Sequence, residues 1–372
     1  MKRILFFLAI SCLVISCDTK NGACPTLEQK VAQMLMVGFR DTAITSASEV
    51  AQWLRDYQIG GVILFEYDSP TKSRPRNITS KQQLKALIDS LHRFSSTPLF
   101  VAVDEEGGNV SRLKTRYGFN PTVTPQYLGT IDNEDTTRFY ASRIAQECRS
   151  LGINVNFAPS VDVNTNADCP IIGKLGRSFS ADAEVVARNA RWFVDEHNKA
   201  GVLCAIKHFP GHGSSVSDTH LGIADVTDTW QDTELEPYRL LLGDTLQVTV
   251  MTSHIFNRRI DTLYPATLSA TTLAMLRNDL LFNGLVFSDD MMMNAISKFY
   301  GLEDAICLAI NAGVDVLVFS NNIDTYNSDI VKDAIAIIVR LVGEGRISEE
   351  RIDQSYNRIV DAKAQLAHIS EQ

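Results

Sequence analysis

Eight short apolar runs recur along the 372-residue chain: "MLMVGF" (34–39), "GGVILF" (60–65), "PLFVAVD" (98–104), "NVNFAPSVDV" (154–163), "VLCAIKHF" (202–209), "VTVMTSHI" (248–255), "GLVFSDD" (284–290) and "VDVLVFS" (314–320). Each is followed by a segment compatible with a helix. The clearest are "ITSKQQLKALIDSLHRF" (78–94) and "SADAEVVARNARWFVDEHNKA" (180–200), in which apolar positions return at helical spacing. Ser80 stands ready to cap the first, and Ser180 or Asp182 the second. Near-continuous apolar strands imply a parallel sheet covered on both faces. Eight of them alternating with helices predict a single (β/α)8 barrel of the TIM type over residues 25–372. An open doubly wound sheet is the alternative, but no G-x-G-x-x-G follows the first run to mark a dinucleotide site.

The runs close on polar residues: Asp104, Asp162, Lys207 and His208, His254, Ser288 and Asp289, Ser320 and Asn321. A barrel gathers the C-terminal ends of its strands at one mouth, where active sites lie. Six strands ending this way predict a polar pocket there.

Composition narrows the class. A 45% hydrophobic content supplies a sizeable core, and the formal charge of −9 comes with no basic stripe, which excludes a nucleic-acid surface. No cofactor is expected. The first residues, "MKRILFFLAISCLVISCDTK", pair the positive Lys2 and Arg3 with an apolar run from Ile4 to Ile15, too short to span a bilayer comfortably and fitting for a signal peptide. Its end, "LVISC", resembles the bacterial lipobox. That resemblance implies cleavage before Cys17, lipid on Cys17, a short tether over 18–24 and a protein held to a membrane of the cell envelope, outside the cytoplasm. A plain cleaved signal peptide is the alternative. Five further cysteines (Cys24, Cys148, Cys169, Cys204 and Cys307) form no C-x-x-C pair. Cys204 and Cys307 read as buried thiols, and one bridge among the rest stays open.

The stretch "AIKHFPGHGSSVSDTHLG" (205–222) holds His208, His212 and His220, with Asp218 two residues before the last. The spacing His208-x-x-x-His212 is one that zinc sites use on a helix. Pro210 and Gly211 break any helix here, so the two rings gain no common face and no metal is expected. Asp218 is close enough in sequence to bond the His220 ring, fixing its tautomer and raising the basicity of its other nitrogen. A Gly/Ser-rich loop is a place for such chemistry, and equally for an accidental Asp-Thr-His. "GLVFSDD" adds two carboxylates at the end of an apolar strand. Neighbouring strand residues point to opposite sides, so one of Asp289 and Asp290 faces the mouth. A fixed carboxylate with a separate proton-transfer group is the equipment of a retaining glycosidase.

"KHFPGHGSSVSDTH" and "FSDDMMM" resemble the family 3 glycoside hydrolases, in particular their β-N-acetylglucosaminidase branch, with K-H-F-P-G-H-G, four residues, then D-S/T-H. The likeness runs over roughly 25–366 and includes "VAVDEEGGNVSRL", "NVNFAPSVDV", "GRSFSAD" and "MTSHI". It implies an enzyme that removes terminal β-linked N-acetylglucosamine from peptidoglycan fragments or chito-oligosaccharides. It implies Asp289 as nucleophile, His220 as general acid/base and Asp218 as its orienting partner. It implies sugar contacts from Asp104, Arg112, Arg177, Lys207 and His208. Related β-glucosidases take their acid/base from a second domain. Should His220 not serve, Glu105, Glu106 and His254 are the other candidates at the mouth. Two departures stand out. "IIGKLGRSF" carries two residues more than the family's I-G-x-R-S-F, which predicts a longer loop and a less secure Arg177. Asn109 stands where an arginine is common. A base without negative charge repels an incoming anion less, so phosphorolysis is an alternative to hydrolysis, and a glycan-binding protein without turnover is a second.

Overall fold

Every one of the eight apolar runs contributes a strand, and the strands close on themselves. The computed structural model describes residues 24–243 and 246–370; the signal-peptide and Cys17 readings lie outside them. The barrel strands are β1 (Leu35–Gly38), β2 (Gly61–Ile63), β3 (Phe100–Val103), β4 (Val155–Asn156), β5 (Leu203–Phe209), β7 (Val248–Thr252), β9 (Val286–Asp290) and β10 (Val316–Phe319). Two further strands, β6 (Ala224–Asp225) and β8 (Ile255–Phe256), pair only with each other. The barrel order is β1-β10-β9-β7-β5-β4-β3-β2, all parallel, with β1 pairing both β10 and β2. That closure removes the open-sheet alternative, since no edge strand is left.

Burial on both faces explains the composition of the strands: β1, β3, β5, β7 and β10 are buried at every position. The rings of Phe100, Phe157 and Phe287 meet edge to face inside the barrel, Phe287 lying 6.1 Å from Phe100 and 5.2 Å from Phe157 between centroids. Phe287 points inward, so Asp289, two positions on, rises from the same face into the mouth.

Two runs are broken in ways their hydropathy does not show. The fourth run yields only Val155–Asn156 as strand; Pro159 has no N–H to donate, and the chain regains β5 by a single bridge between Ser160 and Lys207. The sixth run splits at Thr252, and Ile255–Phe256 turns away to pair with β6.

The helix Lys81–Phe94 begins at Ser80, whose Oγ accepts Gln83 N–H at 3.1 Å. The helix Ala183–Ala200 takes Asp182 as its cap, through Glu184 N–H at 2.9 Å; Ser180 stands two residues earlier and accepts Asp182 N–H. Cys148, Cys169, Cys204 and Cys307 are buried free thiols, so Cys148 and Cys169 are not bridged.

At the floor of the barrel, just before β10, Asp315 is fully buried among three guanidinium groups. Arg277, Arg351 and Arg358 reach it at 2.8, 3.1 and 3.0 Å, and Ser355 Oγ donates at 2.9 Å. Asp315→Ala leaves these cations without a counter-charge in a dry site, and should cost about 3–5 kcal/mol of stability in urea unfolding. The floor is at the far end from the mouth, so folded variant should keep its activity. A loss below about 1 kcal/mol would show that the cluster is not a structural tie.

Candidate active site

The C-terminal strand ends open into a cavity of about 490 Å³. Asp104, Arg112, Arg177, Lys207, His208, Asp218, His220 and Asp289 all line it. Every residue that the resemblance implies for sugar contact or catalysis therefore lines one cavity; the other proton-donor candidates, Glu105, Glu106 and His254, do not line it.

One wall is a buried ionic network. Lys207, at the end of β5, places Nζ 2.8 Å from Asp104 and 2.8 Å from Glu106. Arg177 grips Glu106 with two bonds, at 2.8 and 2.7 Å. Arg112 approaches Asp104 at 3.5 Å. Burial would raise the carboxyl of Asp104, but Lys207 and Arg112 outweigh it and hold it below the usual range. Burial would raise Glu106 too, but Arg177 and Lys207 together overcome it and hold the carboxyl below its usual range.

Arg177 shows how the longer loop is absorbed. Lys174 N–H bonds Cys169 C=O, Gly176 N–H bonds Gly173 C=O and Arg177 N–H bonds Ile172 C=O, all between 3.0 and 3.1 Å. The extra residues coil into successive turns. Gly173 approaches so closely that a Cβ would lie 2.4 Å from the carbonyl oxygen of Ala167. The guanidinium emerges buried and fully engaged. Asn109, on the neighbouring turn, donates to Leu175 C=O at 3.0 Å and ties the two loops together.

His208 is locked in one tautomer. Its Nδ1–H donates to Asp162 at 2.7 Å, and its Nε2 accepts from Arg177 at 3.1 Å, since a guanidinium has no acceptor. A sugar hydroxyl that reaches Nε2 has to share it with Arg177. Asp162 also accepts the backbone N–H of His208 and of His212. His212 lies behind, with both ring nitrogens buried and unpartnered; burial brings it down to about 4, so it is neutral. Among the described residues no three His, Cys, Asp or Glu side chains are grouped to hold a metal ion.

The two aspartates of β9 are separated by their neighbours. Asp290 faces β10, accepting Ser320 N–H at 2.9 Å and Met292 N–H at 3.1 Å and bonding Ser320 Oγ. Asp289 takes no side-chain partner. Burial raises its carboxyl, but the imidazoles of His254, His208 and His220 outweigh that and hold it ionised.

His220 stands on the loop after β5. Its Nδ1–H donates to Asp218 at 2.7 Å, and Asp218 also accepts His220 N–H at 2.8 Å. Its side chain is 54% exposed. Burial works to lower His220, yet the hydrogen bond and charge of Asp218, with Asp289, raise it above the ordinary histidine value. The loop's root is fixed: Glu234 accepts Gly213 N–H at 2.9 Å and Ser214 N–H at 3.3 Å.

The other proton-donor candidates are engaged elsewhere. His254 Nε2–H donates to Asp290 C=O at 2.9 Å, Glu106 is held by two cations, and Glu105 turns away to accept Arg112 and Leu113 N–H at 2.8 and 2.9 Å. Sequence reading did not assign Glu106, Asp162 or Glu234 a supporting role. The first two announce themselves as acids at strand ends; nothing local marks Glu234.

A (β/α)8 barrel with one unpaired carboxylate and a carboxylate-bound imidazole at its mouth is the layout of a glycoside hydrolase. The chain belongs to glycosyl hydrolase family 3, whose N-terminal domain matches residues 26–362. It is similar to beta-hexosaminidase A of Pseudoalteromonas piscicida, 31% identical over 380 residues, which cover 93% of this chain and 62% of that protein. The beta-hexosaminidase of Alkalilimnicola ehrlichii is 34% identical over 77% of this chain and 80% of its own length. Among solved structures, the family 3 β-N-acetylglucosaminidase from Paenibacillus sp. FPU-7 superimposes with a TM-score of 0.83 at 33% identity, over 92% of this chain and 63% of that one. This chain thus spans less than two thirds of the Pseudoalteromonas and Paenibacillus proteins.

Glu105 gives the site a test of its electrostatics. Burial pushes it from 4.5 up to about 7, against the pull of the Leu113 and Arg112 backbone N–H groups. Between those values the folded chain holds a proton that the unfolded chain has lost, so this group's contribution to stability falls as pH rises. The lowered His197 and His212 act in the opposite sense from about 4 upward and mask it in the parent. Glu105→Gln removes only the first effect. Measured by urea unfolding, the variant should gain on the parent from pH 4.5 to 7 by about 3 kcal/mol at most. A difference independent of pH would place Glu105 outside this titration.

Proposed function

We propose that the chain is a retaining exo-β-N-acetylglucosaminidase that removes terminal β-linked N-acetylglucosamine from peptidoglycan fragments or chito-oligosaccharides. One observation carries the reading: of the acidic residues that line the cavity, Asp289 alone has a carboxylate bonded by no other side chain, taking only the N–H of Asp290, and it shares the cavity with the half-exposed His220–Asp218 pair. The hexosaminidase and β-N-acetylglucosaminidase names of the relatives support the sugar.

Asp104, Arg112 and Lys207 offer both acceptors and donors to ring hydroxyls, with Arg177 and His208 beside them. Asp289 attacks the anomeric carbon while protonated His220 gives its Nε2 proton to the leaving oxygen. The glycosidic bond breaks as the glycosyl–Asp289 bond forms. His220, now neutral, then takes a proton from water. That water attacks the anomeric carbon and the Asp289 carboxylate is released. Asp218 is held below its usual range, its burial outweighed by the bond from His220, and its charge in turn favours the imidazolium form of His220. Because the base carries no negative charge, phosphate meets less repulsion than beside a carboxylate; sugar 1-phosphate among the products in phosphate buffer is the sign of that second route.

Asp289→Ala should abolish turnover by several orders of magnitude without unfolding the chain, and Asp290→Ala should act through packing. A fluorinated sugar should label a peptide within 284–293. His220→Ala should slow alkyl glycosides steeply, spare the first step with a nitrophenyl leaving group, show a phenolate burst and recover partly with azide. Equal loss with both leaving groups would remove His220 from the acid/base role.

We also propose that Cys17 carries lipid and holds the barrel at a membrane outside the cytoplasm. The full-length protein should partition with membranes and Cys17→Ala should release it or block its processing. Native protein whose mature N-terminus lies elsewhere would refute this.

A further inference from the structure

The segment that follows the nucleophile also holds the acid/base. After β9, Met293 N–H bonds back to Asp290 C=O at 3.0 Å and opens the short helix Asn294–Ser297. From its first turn, Asn294 Nδ2 donates to His220 C=O at 2.8 Å, and Ala295 N–H donates to Thr219 C=O at 3.2 Å. The other bonds on this stretch are internal: Asp218 accepts from His220, and Leu221 N–H bonds Asp218 C=O. Among the described residues, the hydrogen bonds that reach residues 218–221 from outside the loop are therefore those from Asn294 and Ala295.

Asn294 is only 7% exposed and does not line the cavity. Its Oδ1 is buried with no partner. An amide left half-satisfied in a buried place costs about 1–3 kcal/mol, so a residue chosen for stability alone would be apolar here. Its one visible use is the bond to His220.

We propose that Asn294 is a positioning residue that ties His220 to the strand of Asp289, fixing the acid/base against the nucleophile across the sugar. The inference rests on the reading of His220 as acid/base. Nucleophile and proton donor come from loops far apart in sequence, and their separation must be held to a fraction of an ångström; an error of about 1 Å can cost on the order of 10²-fold. Two bonds from the helix that starts five residues after Asp289 supply that hold more directly than the Gly/Ser-rich loop does.

The test uses Asn294→Leu, which removes the donor and the orphaned acceptor at similar volume, with Asn294→Ala as a second variant should leucine not fit. Thermal unfolding should show stability equal to or above the parent for Asn294→Leu. The kcat/KM for an alkyl or chitobiose-type substrate should fall by about 10²-fold, while the first step with a nitrophenyl glycoside is largely spared and azide restores part of the turnover. In a His220→Ala background, Asn294→Leu should cost nothing further, since both act on one group. Equal losses with both leaving groups, an unchanged rate with both, or a full additional loss in the His220→Ala background would each overturn the proposal. If His220→Ala itself lacks leaving-group dependence, the acid/base reading fails first; if His220→Ala behaves as an acid/base variant and Asn294→Leu does not, only this inference fails.

Discussion

Glu106 is a buried carboxylate, and two cations share it. Arg177 holds it by two bonds and Lys207 by a third, and from these contacts the rest of the binding wall is hung. Lys207 passes the ordering on to Asp104, and Arg177 passes it to His208, whose tautomer Asp162 completes. A buried ion pair is weak evidence for stability, because desolvation cancels much of its attraction. What it supplies is geometry: donors and acceptors held at fixed places around the cavity before a sugar arrives.

The same mouth holds six carboxylates within reach of β3, β4 and β9, and their neighbours decide their roles. Asp104 and Glu106 are lowered by cations, and Asp162, against its own burial, by His208, which bonds it through both ring and backbone N–H. Glu105 is pushed up by burial and stitches backbone. Asp290 is raised by burial and joins β9 to β10. Asp289 is left ionised and without a partner side chain, which is what a nucleophile needs at rest. Electrostatic environment therefore separates two adjacent aspartates that sequence alone presents as a pair.

The His220–Asp218 pair follows a different principle. It rides on an excursion of the chain between β5 and β7, anchored at its root by Glu234 and near His220 by Asn294 and Ala295. A single barrel thereby carries both groups on which the proposed retaining mechanism draws, with His220 half exposed at the cavity.

Much was legible before folding. The eight runs, their alternation with helices and the polar residues closing them follow from hydropathy and period, so the barrel and its mouth were predictable from local pattern. So were Ser80 as a cap and the Asp218–His220 bond, which spans two residues. The longer "IIGKLGRSF" loop suggested a displaced Arg177; the structure coils the extra residues and buries the arginine against Glu106. Hydropathy did not reveal that the fourth run stops as strand at Asn156 or that the sixth splits to pair with β6, because backbone pairing depends on which strand is alongside. The resemblance named Asp289 over Asp290, but the contacts that separate the two, the tautomer of His208 and the grip of Asn294 on His220 were decided by tertiary structure. Each is a contact between groups that the chain brings together only on closing the barrel, and partners distant in sequence leave no periodic mark on either segment.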